Sequence, residues 1–251
     1  HHLAKMVDGE PNRRPTWYFD IREQGEGLAD VSVHLVDQML WTMFPDSSID
    51  YRSDVEMLAA KRWPTQLTLE QFARVTGESE FPAFLDRWVE DGKLDYYCNG
   101  TLEYAVHDIR ARHDVGWEYE AEEYGDRHRA IYRGDRSEVQ LRQEPETEGQ
   151  SEVFVVPRGA NSEDLKAAVQ DRLDALQDSW SGLRVEEQTG RLHVVIPDRH
   201  RASHEAHFNR LAERFVSLVK NPAELPDWER SQLVAKYFIT TRAVEYSRAD
   251  V

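Results

Sequence analysis

The stretch GEGLADVSVHLVDQMLW, residues 25–41, places two glycines in front of a segment with helical periodicity. Its apolar side chains recur at the spacing of an α-helix, which has about 3.6 residues per turn. The apolar arc consists of Val33, Val36, Met39, Leu40, Met43 and Phe44. We therefore predict a helix over residues 29–44 that buries this arc and ends before Pro45.

The opposite side of the same helix carries a row of four side chains, Asp30, His34, Asp37 and Trp41. A solvated polar face explains this spacing without any function. Acid/base chemistry is a second interpretation, because an imidazole titrates near neutral pH and an adjacent carboxylate can orient the ring. A metal site is a third, although further ligands would have to come from elsewhere in the chain. The two preceding glycines would let a ligand or another loop approach the backbone closely.

The charge of the chain excludes several classes of partner. Its 251 residues include 31 Lys and Arg against 47 Asp and Glu, a formal net charge of -16. Such a surface repels phosphate backbones and anionic lipids, so we expect neither nucleic acid nor a membrane as a partner. The sequence contains no apolar run of about 18 residues, the length of a membrane span. The single cysteine, Cys98, allows no intrachain disulfide and fits a reducing compartment.

The order of predicted elements favours an α+β fold over a regular alternation of strands and helices. We predict a long strand that ends at Pro64, and then a helix that begins with a capping box of Thr68 and Gln71 and ends at Gly77. Asn99-Gly100 is the strongest short hairpin signal of the chain. The remaining predicted elements are a strand pair around Gly134, a strand at 152–157, a helix capped by Asn161 or Ser162, a hairpin around Thr189-Gly190 and two long helices at 203–221 and 227–248.

No sequence motif for a nucleotide or a metal ion is present. The chain lacks GxGxxG, GxxxxGK[ST], CxxC and HExxH patterns. We therefore predict no cofactor-binding or metal-binding residues within this chain.

The opening stretch resembles the D-x-G-x-H-x-x-D-x-x-x-W part of the signature of the glucose–fructose oxidoreductase/inositol dehydrogenase (Gfo/Idh/MocA) family. Asp30, His34, Asp37 and Trp41 stand at the matching positions, and Ser32 replaces a glycine of many members. The similarity covers most of residues 11–158 and resembles the C-terminal domain of a bacterial oxidoreductase branch. The segments that carry it are RRPTWYFDIREQGEGLADVSVHLVDQMLW, AKRWPTQLTLEQF, YYCNG and GDRHRAIYRGDRSEVQLRQ.

The resemblance implies a fold and a domain organisation. Family members join a Rossmann domain, which binds NAD or NADP, to a C-terminal α+β domain with a large, mostly antiparallel sheet and helices packed on one face. Residues 1–251 would be this substrate-binding and oligomerisation domain, with a leading segment (1–27), a core motif region (28–158) and a helix-rich C-terminal part (159–251). The Rossmann domain would lie upstream, outside this chain, and we expect a homo-oligomer formed through the sheet.

The resemblance also implies residue roles. His34 would be the acid/base that accepts a proton while a hydride moves to NAD or NADP, and Asp30 would orient the hydroxyl groups of a sugar or polyol substrate. Asp37 is better explained as a structural partner on the helix face, and Trp41 as a core residue.

Five further residues are candidates or have simpler explanations. Arg14, Trp17 and Tyr18 form an aromatic-rich stretch before the motif, where aromatic faces could stack on sugar rings or simply pack. Lys61 could reach a ligand or could merely end a strand. His128 could line the substrate face of the sheet or lie on a solvated strand.

Two other hypotheses compete with an oxidoreductase domain. The chain could be a non-catalytic oligomerisation or interaction module derived from such an enzyme, with the Asp30–His34 row as a relic. It could also be a small metal-dependent sugar isomerase or lyase, which needs a third ligand near His34. We expect a cytoplasmic location, with export to the periplasm as the alternative.

Overall fold

The computed structural model describes residues 1–7, 9–120, 125–159, 161–202 and 204–249. The chain divides into two compact units, one of His1–Ala121 with Lys220–Val251 and one of Glu122–Val219. This division cuts across the predicted boundary at residue 158, because the strands that follow residue 125 group with the helix and hairpin after them. Helices and antiparallel strands occur in both units, so the predicted α+β class is confirmed.

Thirteen strands and five α-helices make up the described part of the chain. The strands are β1 (His2–Ala4), β2 (Met6–Val7), β3 (Glu10–Pro11), β4 (Val55–Thr68), β5 (Val89–Glu90), β6 (Lys93–Val106), β7 (Ile109–Val115), β8 (Glu118–Glu120), β9 (His128–Arg133), β10 (Ser137–Gln143), β11 (Glu152–Pro157), β12 (Arg184–Gln188) and β13 (Arg191–Val195). The α-helices are α1 (Ser32–Met43), α2 (Leu69–Thr76), α3 (Ser162–Asp174), α4 (His204–Lys220) and α5 (Asp227–Ala249). Among the described residues, no helix has the length and apolar character needed to cross a membrane.

The first unit is built on an antiparallel sheet around the long strand β6. Strand β4 runs along one edge of β6, and the short β5 and β7 share the other edge. The two remaining sheets of this unit are small, a parallel β1–β8 pair and an antiparallel β2–β3 hairpin. The antiparallel strands of the chain thus lie in two main sheets, one in each unit, where the sequence suggested a single large sheet.

The predicted hairpin at Asn99-Gly100 is wrong. Strand β6 continues straight through both residues, and the chain reverses later, at His107, whose φ of 50° allows the turn. Asn99 is buried, and its side-chain amide donates to the Trp63 carbonyl and to Thr65 Oγ1 while accepting from the Trp117 N–H. Asn99 therefore provides hydrogen bonds to three polar groups inside the protein and does not form a turn.

Pro64 does not end its strand, in contrast to the sequence prediction. Strand β4 extends to Thr68, and the pairing with β6 shifts register between Trp63 and Thr65. Proline has no N–H to donate and is tolerated in a strand at such an irregularity.

Helix α2 confirms its predicted ends. The Thr68 side chain accepts a hydrogen bond from the Gln71 N–H, the Gln71 side chain accepts from the Thr68 N–H, and Gly77 ends the helix with φ 88°. Helix α1 begins at Ser32 rather than at residue 29 as predicted, and residues 83–88 form a 3-10 helix.

The second unit is a five-stranded antiparallel sheet in the order β12-β13-β11-β10-β9, with α3 lying against β12. The predicted strands and hairpins of this region are confirmed, and Asn161 caps α3 by accepting from the Glu163 N–H. The long helix predicted from Ser203 is observed as α4 from His204, and Ser203 itself lies outside the described residues.

Helix α1 packs against the sheet of the first unit and against α5, which itself contacts β4. The core that joins the three elements consists of Val36, Met39 and Leu40 from α1, Leu102, Tyr104 and Val106 from β6, and Ala235, Ile239 and Ala243 from α5. This packing confirms the buried arc predicted for α1 and leaves its opposite side towards the solvent.

Gly27 sets how closely the start of α1 approaches the sheet. A Cβ at this position would lie 2.0 Å from the Cys98 carbonyl oxygen, a distance that no real contact reaches. The close approach predicted for the two glycines is therefore found at Gly27, where the partner is the backbone of β6.

We predict that Gly27→Ala lowers the free energy of unfolding by about 3 kcal/mol, because β6 and the turn must separate to admit a methyl group. The matched control is Gly116→Ala, where a Cβ meets nothing within 4 Å. It should change stability by no more than about 0.5 kcal/mol in urea unfolding followed by tryptophan fluorescence. Equal effects of the two substitutions would contradict the packing described here.

Candidate active site

Residues 25–31 form a turn that places Asp30 at the start of α1. The Glu26 carbonyl accepts hydrogen bonds from the N–H groups of Ala29 and Asp30, both at 2.8 Å. Gly25, with φ +92°, opens this turn in a conformation that favours glycine. The backbone position of Asp30 is therefore set by Glu26, before the helix proper begins.

Asp30 has a half-buried carboxyl group. Burial raises its pKa above the ordinary value of 3.8, because the charged form loses hydration. A hydrogen bond from the Gln24 side chain and the nearby His34, His1 and Arg14 act in the opposite direction. Such a carboxyl group is placed to accept a hydrogen bond from a hydroxyl group of a ligand.

His34 lies one helical turn after Asp30 on the same side of α1, and its side chain is exposed. Side chains four residues apart on a helix are neighbours, with Cβ atoms about 5–6 Å apart. The imidazole is near enough to lower the pKa of the Asp30 carboxyl group. An exposed imidazole beside a half-buried carboxyl group can exchange a proton with a bound ligand.

Arg14 and Tyr18 lie near Asp30. The Arg14 guanidinium lies 4.4 Å from the centroid of the Tyr18 ring and 5.3 Å from that of Trp117, and it donates to the Leu3 carbonyl. Burial raises the pKa of the Tyr18 hydroxyl group, and Asp30 adds to that rise while Arg14 opposes it. The phenol therefore stays protonated at neutral pH and can donate a hydrogen bond.

The structure brings four of the seven candidate residues together: Arg14, Tyr18, Asp30 and His34. Trp17 is adjacent on the 3-10 helix Thr16–Phe19 and is 51% exposed.

Lys61 and His128 are placed elsewhere. Lys61 is exposed and pairs with Thr101, on the opposite face of β4 from its neighbour Arg62, which contacts Glu26. His128 is on β9, in the second unit, opposite Gln143 of β10.

The two other residues of the row have different surroundings. Asp37 forms an ion pair with Lys236 of α5 at 3.0 Å, which agrees with a structural role. Trp41 is 57% exposed, so the prediction of a core residue is wrong. It lies on the side of α1 that carries His34, away from the apolar arc.

Sequence reasoning missed several residues around Asp30. Tyr96 lies with its ring centroid 5.9 Å from that of Tyr18, and Trp117 stacks near Arg14. Successive side chains of β6 point to opposite faces of the sheet, so Tyr96 lies on the other face from Asp95 and Tyr97. This alternation is the signal that could have placed Tyr96 on the buried face. Gln24 and Glu26 had no such signal, because both lie in an irregular segment.

Glu26 is the buried charge of this region. Its side chain is 3% exposed, and its Oε1 accepts from Arg62 Nη1 at 2.8 Å and from Arg248 Nε at 3.0 Å. Arg62 also lies 4.5 Å from the centroid of the Tyr97 ring. Two guanidinium groups thus compensate one carboxylate in the interior.

A metal centre is not supported by the described residues. In the ranges that the structure covers, no group of three or more His, Cys, Asp or Glu side chains could hold an ion. Cys98 is buried, and burial raises the pKa of its thiol to about 11, so the free thiol is protonated at neutral pH.

We predict that Asp30→Asn stabilises the fold increasingly as the pH rises above about 4. With the pKa of Asp30 raised by burial, the folded protein still binds this proton where the unfolded chain has released it. The stabilising contribution is therefore complete at low pH and is lost as the pH rises through the folded-state pKa. Urea unfolding of both proteins between pH 3 and pH 8 measures the difference. Asp108→Asn, at an exposed turn residue, is the control and should show no such trend.

A comparison with known protein families gives a match over almost the whole chain. A family model described as "Putative oxidoreductase C terminal domain" matches residues 1–248. No curated protein sequence matches the chain significantly.

A solved structure is also similar to this chain. It is the crystal structure of a protein described as a "putative oxidoreductase" from Parabacteroides merdae ATCC 43184, with a TM-score of 0.96 and 37% sequence identity. The match covers 100% of this chain and 58% of that one, so the chain spans little more than half of the longer protein. The match of the family model over residues 1–248 shows that this chain belongs to the family of oxidoreductase C-terminal domains.

Proposed function

We propose that this chain is the substrate-binding domain of an oxidoreductase that acts on the CH–OH group of a sugar, a polyol or a derivative. His34 is the acid/base and Asp30 orients the substrate. The observation that carries this proposal is the pairing of a half-buried carboxyl group with an exposed imidazole one turn away.

Asp30 and His34 can together carry out the proton transfer of an alcohol oxidation. Asp30 accepts a hydrogen bond from a substrate hydroxyl group and holds the reacting carbon near α1. His34 accepts the hydroxyl proton as the alcohol becomes a carbonyl, and returns it in the reverse direction. Exposure of His34 lets the proton pass to solvent afterwards.

The surrounding side chains suit a polyhydroxylated ligand. Arg14 supplies N–H donors, and Tyr18 supplies a protonated phenol next to Asp30. Trp17, half exposed beside them, offers an aromatic face on which a sugar ring could stack.

The described residues do not fit a nicotinamide dinucleotide themselves. The main sheets are antiparallel, and the chain lacks the glycine-rich turn that cradles a pyrophosphate. We propose that NAD or NADP is bound mainly by a Rossmann domain upstream in a longer protein. The match to 58% of the longer bacterial protein supports this arrangement.

We predict that His34→Ala lowers kcat about a hundred- to ten-thousand-fold for the best substrate in a sugar and polyol panel, with a small change in KM. The assay uses the longest protein that the gene encodes and follows NADH and NADPH formation. Asp30→Asn should raise KM as well as lower kcat, because it changes the group that holds the substrate.

His207→Ala, at an exposed histidine of α4, is the matched control and should keep full activity. Turnover that survives His34→Ala within a factor of about two would remove His34 from the mechanism.

A non-catalytic assembly module is the second candidate, and the open face of the first sheet favours it. Ala59, Lys61 and Trp63 of β4 are exposed there, and Trp63 is 45% exposed. We propose homo-oligomerisation through this face under either candidate.

We predict that Trp63→Glu shifts the protein towards monomer in sedimentation velocity experiments, because a carboxylate opposes burial of this face. Trp180→Glu, at a tryptophan of similar exposure in the second unit, should leave the oligomeric state unchanged. A chain that is monomeric at all concentrations tested would contradict assembly through the sheet.

A further inference from the structure

Helix α5 contacts the segment that carries Asp30 and His34 at three points, in reverse chain order. At the far end of α1, Gln232 Nε2 donates to the carbonyls of Phe44 at 2.8 Å and Ser47 at 3.0 Å. Midway along the segment, Lys236 forms its ion pair with Asp37. The reverse order shows that α5 runs antiparallel to α1 over its whole length.

The third contact is at the beginning of the segment and involves the buried side chain of Glu26. Arg248, near the end of α5, donates through Nε to Glu26 Oε1 at 3.0 Å and also through Nη2. Arg62 of β4 donates to the same oxygen. The other oxygen, Oε2, is buried and accepts no hydrogen bond from the described residues. The orientation of this carboxylate thus depends on the two guanidinium groups alone.

Glu26 connects this ion cluster to the candidate active site through its main chain. Its carbonyl accepts the Asp30 N–H, and the next residue, Gly27, donates its N–H to the Tyr97 carbonyl at 3.2 Å. A rotation of Glu26 would therefore move the carbonyl that accepts the Asp30 N–H, while Gly27 stays in contact with β6. Removal of Arg248 would leave the buried Glu26 carboxylate with only one of the two guanidinium groups that balance its charge.

We propose that α5 acts as a positioning element for the acid/base pair, with Glu26 and Arg248 as the positioning residues. The proposal rests on the function proposed above for Asp30 and His34. It assigns a role in that function to a residue 222 positions away from Glu26.

Amide hydrogen exchange in this chain tests the positioning without any assay of activity. Arg248→Gln should accelerate exchange of the Asp30 N–H about tenfold or more. The reason is that the Glu26 carbonyl accepts this N–H, and Glu26 loses its ion pair with Arg248. Arg248→Lys should restore part of the protection. Arg242→Gln is the control, since Arg242 pairs only with Glu245 on the exposed side of the same helix among the bonds described. Unchanged exchange in Arg248→Gln would overturn the proposal.

Kinetics in the longest protein that the gene encodes test the functional half. Arg248→Gln should lower kcat about tenfold and raise KM, because it displaces Asp30, the residue that holds the substrate. Glu26→Gln should add little to this effect in the double variant, because both residues act through one cluster. Arg248 is 53% exposed, so its variant folds even if Glu26→Gln does not. An unchanged kcat despite faster exchange would overturn the positioning role. Absence of turnover in the wild-type protein would instead count against the proposed function, and the exchange result would then decide the positioning alone.

Discussion

The close approach of Gly27 to the backbone of β6 is the constraint on which the rest of the first unit depends. Because no Cβ fits at this position, the turn of residues 25–31 lies directly on the strand. The turn then sets where α1 begins, and α1 completes the core between β6 and α5. A steric limit at one residue therefore determines which side of α1 faces the protein and which side faces the solvent.

The same constraint explains the contrast between Asp30 and His34, the two residues that we propose as substrate-orienting residue and acid/base. Asp30 lies at the end of the turn, where it is half-buried and its pKa is raised, while His34 lies one turn further on and is exposed. One group is held in a low-dielectric setting and the other can exchange protons with solvent. This division suits a site in which one side chain orients a hydroxyl group and the other moves its proton.

Local signals in the sequence predicted local structure well. They could not predict contacts between residues that lie far apart in the chain. The capping box at Thr68 depends on residues three apart, so it could be predicted. Asn99-Gly100 is a typical turn sequence, but three hydrogen bonds between the Asn99 side chain and distant segments keep Asn99 inside β6. The acid/base row was predicted from its spacing and from a family resemblance. The Glu26–Arg248 ion pair joins residues 222 apart, and no periodicity indicates it.

The most direct test of the account is a calorimetric titration with NADH and NADPH of this chain and of the longest protein that its gene encodes. We predict that only the longer protein binds one of the two nucleotides, because this chain lacks the GxGxxG pattern of a dinucleotide-binding turn. Binding of either nucleotide to this chain with equal affinity, or no binding to the longer protein, would contradict a substrate domain that depends on an upstream nucleotide-binding domain.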